Sequence, residues 1–302
     1  MTRRVLVTGG AGFIGRHCLP ALLQSGYEVH AISRRPHVGC DRLRWHRGDL
    51  LEPGIARTLA NEIRASHLMH LGWCTEPGVY WTSPENSRWL DASLALVREF
   101  ADAGGQRLVC AGSCAEYDWR SGVCVEAVTT LRPASLYGQC KVALHHRLQE
   151  FAAQNGLGLG WARIFFPYGP FEPAARLVPS VIIGLLRRET VRCTAGTQLR
   201  DFIHVDDVAA ALVTLLDRDV CGAVNIASGE AVSVRYIVST IAGIVGGSER
   251  IEFGALPIRE NDPPQLSAGI TRLTVEAGWQ PSLSLADGLS NTVEWWRGRL
   301  SL

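Results

Sequence analysis

The chain has no run of uncharged apolar residues long enough to cross a membrane, no Cys-x-x-Cys pair among its nine cysteines, and a formal net charge of only +1. A membrane-spanning helix needs about 20 mostly apolar residues, so none is predicted. An odd number of scattered cysteines predicts reduced thiols rather than a disulfide framework or a metal site. The small charge gives no reason to expect nucleic-acid or membrane-surface binding. The first predicted strand follows Met1-Thr2-Arg3 directly, which leaves no room for a signal peptide and predicts a cytoplasmic protein.

The opening segment predicts a dinucleotide site. A short buried strand is expected from Arg4 to Thr8, followed by glycines and then by an apolar-periodic helix from about Phe13 to Ser25. The glycines have Gly-x-x-Gly-x-x-Gly spacing, which permits a sharp turn, close approach of a pyrophosphate to the backbone, and tight helix packing. Free amide groups at the helix start would face the phosphates. The predicted contacts in this segment are Gly9, Gly12, Phe13, Ile14 and Gly15.

The end of the second predicted strand, at Ser33, lacks the acidic residue with which NAD-binding chains usually hold the ribose hydroxyls. Arg34 and Arg35 follow instead. A hydroxyl and two guanidinium groups can bind a 2′-phosphate that a carboxylate would repel. The segment therefore favours NADPH, with NAD(H) as the alternative. Further predicted coenzyme contacts are Asp49, Leu50, Leu71 and Gly72.

Tyr137 and Lys141 form a Tyr-x-x-x-Lys pair far from the opening glycines. Side chains four residues apart share one face of a helix. We expect the ammonium group of Lys141 to lie near the phenol of Tyr137 and to lower its pKa from about 10. The pair would then transfer protons near neutral pH.

Strand and helix signals alternate as far as about residue 165, with strands near Val5, Val29, Leu43, Leu68, Leu108 and Gly158. This alternation predicts an α/β fold with a doubly wound parallel (Rossmann) sheet. Residues 1–166 are expected to form the dinucleotide-binding domain, with returns near 201–226. Residues 167–302, punctuated by proline and glycine, are expected to form mainly a smaller C-terminal substrate-binding domain.

With these features in place, the chain resembles the extended short-chain dehydrogenase/reductase family, specifically its nucleotide-sugar epimerases, dehydratases and reductases. The resemblance covers nearly the whole chain. The segments that carry it, beyond the opening glycines and the Tyr/Lys pair, are Ser113-Cys114-Ala115-Glu116-Tyr117, Arg163-Ile164-Phe165-Phe166-Pro167-Tyr168-Gly169-Pro170, Arg200-Asp201-Phe202-Ile203-His204-Val205-Asp206-Asp207-Val208 and Gly278-Trp279-Gln280-Pro281.

The resemblance implies that Ser113 completes a catalytic set with Tyr137 and Lys141. It also implies a nucleotide-diphosphate sugar as substrate and a homodimer formed through a four-helix interface. The helices that resemble the interface pair are predicted near Asn86 to Asp102 and Leu136 to Gln154. For the substrate, the expected contacts are Arg200, Asn225 and Arg259, of which the arginines are expected at the diphosphate.

Two departures from the family pattern narrow the reaction. Sugar 4,6-dehydratases carry an Asp-Glu pair directly after the Ser/Thr, because elimination of water needs a general acid and a general base there. This chain has Cys114-Ala115, which argues against dehydration. It also lacks the cysteine that C3 or C5 epimerases place two residues after the serine.

Three hypotheses therefore remain. An NADPH-dependent reduction of an NDP-4-keto-6-deoxyhexose at C4, with Tyr137 as proton donor, is preferred because of the Ser33-Arg34-Arg35 segment. The first alternative is an NAD-dependent NDP-sugar 4-epimerase. The second, from another class, is a non-catalytic nucleotide-sensing protein, which the intact Ser113, Tyr137 and Lys141 argue against.

Overall fold

Short apolar strands and amphipathic helices alternate along the first half of the computed structural model, which describes residues 3–258, 260 and 262–301. The strands, in chain order, are β1 (Arg4–Thr8), β2 (Glu28–Ser33), β3 (Leu43–Arg47), β4 (His67–His70), β5 (Arg107–Ser113), β6 (Val123–Cys124), β7 (Gly158–Ile164), β8 (Phe166–Tyr168), β9 (Val191–Cys193), β10 (Leu199–His204), β11 (Gly222–Ile226), β12 (Ala231–Ser233), β13 (Ile251–Phe253) and β14 (Gln265–Ala268). The α-helices are α1 (Phe13–Gln24), α2 (Ile55–Ile63), α3 (Glu85–Asp102), α4 (Leu136–Asn155), α5 (Leu177–Leu186), α6 (Val205–Asp217), α7 (Val234–Val245) and α8 (Leu285–Leu300).

The main sheet has seven strands in the order β11-β7-β5-β4-β1-β2-β3, and every neighbouring pair is parallel. Its strands are rich in buried aliphatic residues, as expected when helices cover both faces. On one face α1 packs against α6, and on the other α3 packs against α2 and α4. The chain order reverses between β1 and β4, and ligands of such sheets bind beside the carboxyl ends of the strands at this point.

The prediction of a doubly wound α/β fold is confirmed. All six predicted strands are present, and helix α1 covers the segment predicted from its apolar period. The chain returns to the main sheet at β11, within the segment where a return was expected. The division into two domains and the homodimer through α3 and α4 remain predictions.

A smaller sheet, formed mostly by the second half of the chain, is not predicted by the sequence pattern. Strand β10 pairs with β8 and β14 in parallel and with β12 in antiparallel orientation, and β14 continues to β6. These strands are two to six residues long, too short to show a clear period. Helices α5, α7 and α8 pack together beside this sheet around a separate apolar core. The smaller sheet faces the open end of the main one and closes a cleft with it.

Candidate active site

The cleft has a volume of about 1050 Å³ and brings together most of the residues predicted from the sequence. Those that line it are Gly9, Gly12, Phe13, Ile14, Gly15, Ser33, Arg34, Asp49, Leu50, Leu71, Gly72, Ser113, Tyr137, Lys141 and Arg200. Arg35 and Asn225 lie outside it, and Arg259 falls outside the described residues. Within those residues no group of three or more side chains is arranged to hold a metal ion, and no helix is long and apolar enough to cross a membrane.

The glycine turn between β1 and α1 is shaped for close approach. Gly9 has a φ of +72°, which favours glycine, and a Cβ there would lie 2.8 Å from the Gly72 amide nitrogen. A Cβ on Gly15 would lie 2.2 Å from the Gly9 carbonyl oxygen. Helix α1 starts after Gly12 without a side-chain cap. Its first amide groups are therefore available to phosphate oxygens, and the turn fits a dinucleotide.

A buried hydrogen-bond chain that the sequence analysis missed joins β1 to β4. The Gly72 amide donates to Thr8 Oγ1 at 3.0 Å, and Thr8 Oγ1 lies 2.6 Å from His70 Nδ1. His70 Nε2 is 2.8 Å from the hydroxyl of Ser93. Burial lowers the pKa of His70 to about 3, so the imidazole is neutral at physiological pH. These hydrogen bonds fix the ends of β1 and β4 beside the glycine turn. The three side chains, of Thr8, His70 and Ser93, are far apart in the sequence.

At the end of β2, the segment that begins at Ser33 is largely exposed. The Ser33 hydroxyl accepts a hydrogen bond from the Arg35 amide at 3.2 Å and lies 3.0 Å from His37 Nε2. The Arg34 side chain is 79% exposed and lies 3.8 Å from the carboxylate of Asp49. The rim of the cleft therefore carries a positive and a negative group together. Of the two arginines Arg34 and Arg35, Arg34 is the one that lines the cleft.

Ser113, Tyr137 and Lys141 meet where β5 ends and α4 begins. Ser113 is the last residue of β5. Helix α4 starts directly after Ser135, whose hydroxyl accepts from the Gly138 amide at 3.2 Å. This places Tyr137 in the first turn and Lys141 one turn later. The Lys141 ammonium donates to the Ala111 carbonyl oxygen at 2.8 Å, and it is the only lysine in the chain.

The predicted effect of Lys141 on Tyr137 is not what the geometry gives. The ammonium nitrogen lies 5.8 Å from the centre of the Tyr137 ring and 3.8 Å from that of Trp73. Burial raises the pKa of Tyr137, an effect opposed by the Ser113 hydroxyl. Burial also lowers the pKa of Lys141 to about 8. The expectation of a lowered tyrosine pKa is therefore corrected, because desolvation outweighs the neighbouring charge.

Aromatic rings surround Tyr137. Its ring centre lies 4.9 Å from Tyr80, 5.9 Å from Trp81 and 6.3 Å from Trp73, all with edge-on geometry. The Trp81 carbonyl also accepts from the Tyr137 amide at 3.2 Å. These rings belong to the segment between β4 and α3. The segment shields the tyrosine from water, which explains its raised pKa.

The remote end of the cleft carries charge. Arg200 is 5% exposed, and its guanidinium group lies 2.5 Å from the carboxylate of Asp262. Arg176 also lines the cleft and was not predicted. Asn225 is fully buried elsewhere, where its side-chain oxygen accepts from the Tyr117 hydroxyl at 2.7 Å and its amide donates to two carbonyl groups. The prediction that Asn225 contacts the substrate is therefore wrong, because the polar atoms of its side chain already form hydrogen bonds within the protein.

The fold and the site define a class: a Rossmann-type fold with a cleft that fits a dinucleotide and brings together a serine, a tyrosine and a lysine. Residues 5–227 match the model of the NAD dependent epimerase/dehydratase family. The chain belongs to this family of nucleotide-sugar enzymes, and the resemblance to extended short-chain dehydrogenases/reductases is confirmed.

Similar proteins cover almost the whole chain. The UDP-glucose 4-epimerase of Streptomyces lividans is 28% identical over 98% of this chain and 96% of its own length. MoeE5, solved with UDP-glucuronic acid and NAD, is 34% identical to this chain with a TM-score of 0.85. The match covers 99% of this chain and 100% of MoeE5. The UDP-glucose 4-epimerase of Thermus thermophilus, solved with NAD, is 26% identical with a TM-score of 0.87. The match covers 98% of this chain and 99% of that epimerase.

Proposed function

We propose that this chain is an NAD-dependent UDP-sugar 4-epimerase, which oxidises C4 of the hexose transiently and reduces it again on the opposite face. One observation carries the proposal: Ser113, Tyr137 and Lys141 line the same cleft as the glycine turn. The epimerases among the similar proteins support this reaction over the 4-ketoreductase preferred from the sequence. Because C4 is oxidised and then reduced, the cycle consumes no coenzyme.

The coenzyme would lie along the turn. Gly9, Gly12 and the first amides of α1 would hold its pyrophosphate. Lys141 would contact the ribose next to the nicotinamide. When bound, the coenzyme supplies the acceptor and donor of hydride. NAD is the coenzyme of the two similar structures, and we propose it here in place of the expected NADPH.

Proton transfer would fall to Tyr137. In its ionised form the phenol would take the proton of the C4 hydroxyl as that carbon is oxidised, and it would return the proton on reduction. The Ser113 hydroxyl already accepts from the Ala115 amide at 3.2 Å, which leaves its own hydrogen to donate to the C4 oxygen. Lys141, with a pKa of about 8, is mostly charged at neutral pH, and its charge would partly offset the burial that raises the pKa of the Tyr137 phenol. Fixed donors in a site shielded from water stabilise developing charge strongly.

The remote end of the cleft would bind the diphosphate. Arg200 and Arg176 both line the cleft, and guanidinium groups bind phosphate oxygens in a bidentate fashion. Arg200 is held by Asp262 at 2.5 Å, so it is already ordered for this contact. Diphosphate binding by Arg259 remains a prediction.

The test is conversion of UDP-glucose, UDP-galactose and UDP-glucuronic acid by the purified protein, with products separated by anion-exchange chromatography. We expect one of these sugars to reach an equilibrium mixture with its C4 epimer, without net change in reduced coenzyme. Denatured protein should release NAD. The Tyr137→Phe variant is the control for a contaminating activity. Conversion that requires added NADPH and stops when it is exhausted would contradict the epimerase.

The second candidate is the NADPH-dependent reduction of an NDP-4-keto-6-deoxyhexose. Two features favour it. Ser33 stands where an acidic residue would favour NAD, and Arg34 faces the cleft. The wall beside Ser113 is also largely apolar, with side chains that suit a sugar lacking a hydroxyl at C6. This wall is formed by Trp81, Cys114, Ala115, Trp119 and Phe166. Oxidation of NADPH by a 4-keto-6-deoxy sugar nucleotide, with no epimerisation of UDP-hexoses, would establish it over the epimerase.

A further inference from the structure

A buried carboxylate stands directly behind the catalytic set. Glu116 is 0% exposed, and its Oε2 lies 2.8 Å from the Nε of Arg163, which is itself 2% exposed. Its Oε1 accepts from the Ser113 amide at 2.8 Å. Both oxygens lie 3.0 Å from the indole nitrogen of Trp161. Glu116 therefore joins the end of β5, which carries Ser113, to β7, which carries Trp161 and Arg163.

The carboxylate locks the turn on which Ser113 lies. The Glu116 side chain accepts from the Ser113 amide, and the Ser113 hydroxyl accepts from the Ala115 amide, so the two ends of the turn hold each other. A Cβ on Gly112 would lie 2.6 Å from Glu116 Oε1, so this position has room only for glycine. A Cβ on Gly138 would lie 2.5 Å from the Ala115 carbonyl oxygen. The first turn of α4, with Tyr137, thus packs directly on the turn that Glu116 holds.

Glu116 also adds negative charge near Lys141, whose ammonium donates to the carbonyl of Ala111, two residues before Ser113. The titratable groups that act on the ammonium are Cys110 on β5, Cys140 on α4, His70 on β4 and Glu116. Burial raises the pKa of Cys110 to about 12, raises that of Cys140, and lowers that of His70 to about 3. These three groups are therefore neutral near pH 7. Glu116 alone among them is paired as a carboxylate with an arginine.

We propose that Glu116 is a positioning residue, which tethers Ser113 beside Tyr137 and contributes negative charge near Lys141. It does not line the cleft, and it acts through the Ser113 amide. The role rests on the proposed proton transfer by Tyr137 and holds equally for the epimerase and the reductase, because both use this set.

The effect of the Glu116 charge on Lys141 can be tested without measuring turnover, because Lys141 is the only lysine in the sequence. Lysine labelled with ¹³C at Cε gives a single side-chain signal, whose shift with pH reports the Lys141 titration. In Glu116→Gln the midpoint should fall by about half a unit or more, since a nearby negative charge is lost. In the double variant Glu116→Met/Arg163→Met a positive charge is lost as well, and the midpoint should fall less. An unchanged midpoint in folded Glu116→Gln would overturn the proposal.

The tether is tested by kcat in the double variant, which leaves no unpaired charge behind. Replacing a buried ion pair with apolar residues of similar size is often neutral for stability, so this variant is expected to fold even if Glu116→Gln does not. Loss of the tether should lower kcat about 10- to 100-fold, the scale of a misplaced catalytic group. Coenzyme affinity, measured by tryptophan fluorescence, should stay within about two-fold on the same argument.

Tyr117→Phe is the matched control. Its hydroxyl bonds Arg163 and Asn225 in the same network but does not reach Ser113. It should lose stability while keeping both kcat and the Lys141 midpoint. A folded double variant with wild-type kcat would overturn the tether. Absence of turnover in the wild-type protein on every UDP-sugar would instead count against the proposed function, and the Lys141 titration would still decide the role of Glu116.

Discussion

The two ends of the proposed coenzyme site differ in how much water reaches them. At the Tyr137 end, Tyr137 is 7% exposed and Lys141 4%, among aromatic rings. At the Ser33 end, the Arg34 side chain is 79% exposed. Charges interact strongly in a buried site and weakly at a surface, where salt screens them. The buried end should therefore govern rate and stability, and the exposed end should govern only the choice of coenzyme.

The largest expected effect is at the buried end, in Tyr137→Phe. The phenol is the proposed proton donor and acceptor, and loss of such a group lowers kcat by about 100- to 10,000-fold. The ring and its aromatic neighbours are kept, so coenzyme binding should change little. Steady-state kinetics and a fluorescence titration measure the two effects. Wild-type kcat in the variant would remove Tyr137 from the mechanism.

Lys141→Met tests the energetic cost of the buried ammonium. Burial lowers the pKa of Lys141 from 10.5 to about 8. The folded protein therefore binds this proton less tightly than the unfolded chain. The charged lysine destabilises the fold fully below pH 8, and the destabilisation disappears as pH rises through 10.5. A shift of this size corresponds to about 3 kcal/mol.

The measurement is the free energy of unfolding of both proteins between pH 7 and pH 10, a range that spans the lowered pKa of about 8. Taking the difference between variant and wild type cancels the buried tyrosines and cysteines, which titrate in the same range. Lys141→Met should be the more stable protein at pH 7, and its advantage should shrink steadily with rising pH. A difference independent of pH would show that Lys141 is not desolvated as the geometry indicates.

Features that depend on local spacing were predicted from the sequence, and features that depend on contacts between distant strands were not. The glycine turn and the Tyr137/Lys141 pair were predicted because each depends on local spacing along one element. The sequence also held a signal that strengthens the pair: Lys141 is the single lysine among 30 basic residues. In a chain that otherwise uses arginine throughout, a single lysine indicates a position that needs a compact ammonium group.

Residues whose partners come from distant strands could not be placed in this way. Asn225 carries a polar side chain typical of a binding site, but the pairing of β11 with β7 buries it beside Tyr117. Glu116 was noted only as part of a motif, because its partner Arg163 lies 47 residues away on β7. The raised pKa of Tyr137 likewise depends on rings from the segment before α3. Burial is a property of the assembled fold, which spacing alone does not give.

The smallest expected effect is at the exposed end, in Ser33→Asp and Arg34→Ala. A carboxylate at position 33 would bind the ribose hydroxyls of NAD and repel a 2′-phosphate. Ser33→Asp should therefore shift the ratio of NADPH to NAD affinity toward NAD by about 10-fold, a difference of about 1.4 kcal/mol. Arg34→Ala should shift it the same way by less, because the guanidinium is 79% exposed and exposed ion pairs contribute about 0–1 kcal/mol.

Fluorescence titrations with each coenzyme at low and high salt measure this ratio. The effect of Arg34→Ala should fade at high salt, since screening acts on exposed charges, while the effects at Tyr137 and Lys141 should not. Neither substitution should change kcat with saturating NAD. A loss of kcat in Arg34→Ala as large as that in Tyr137→Phe would mean that the two ends are coupled, and that exposure does not separate their roles.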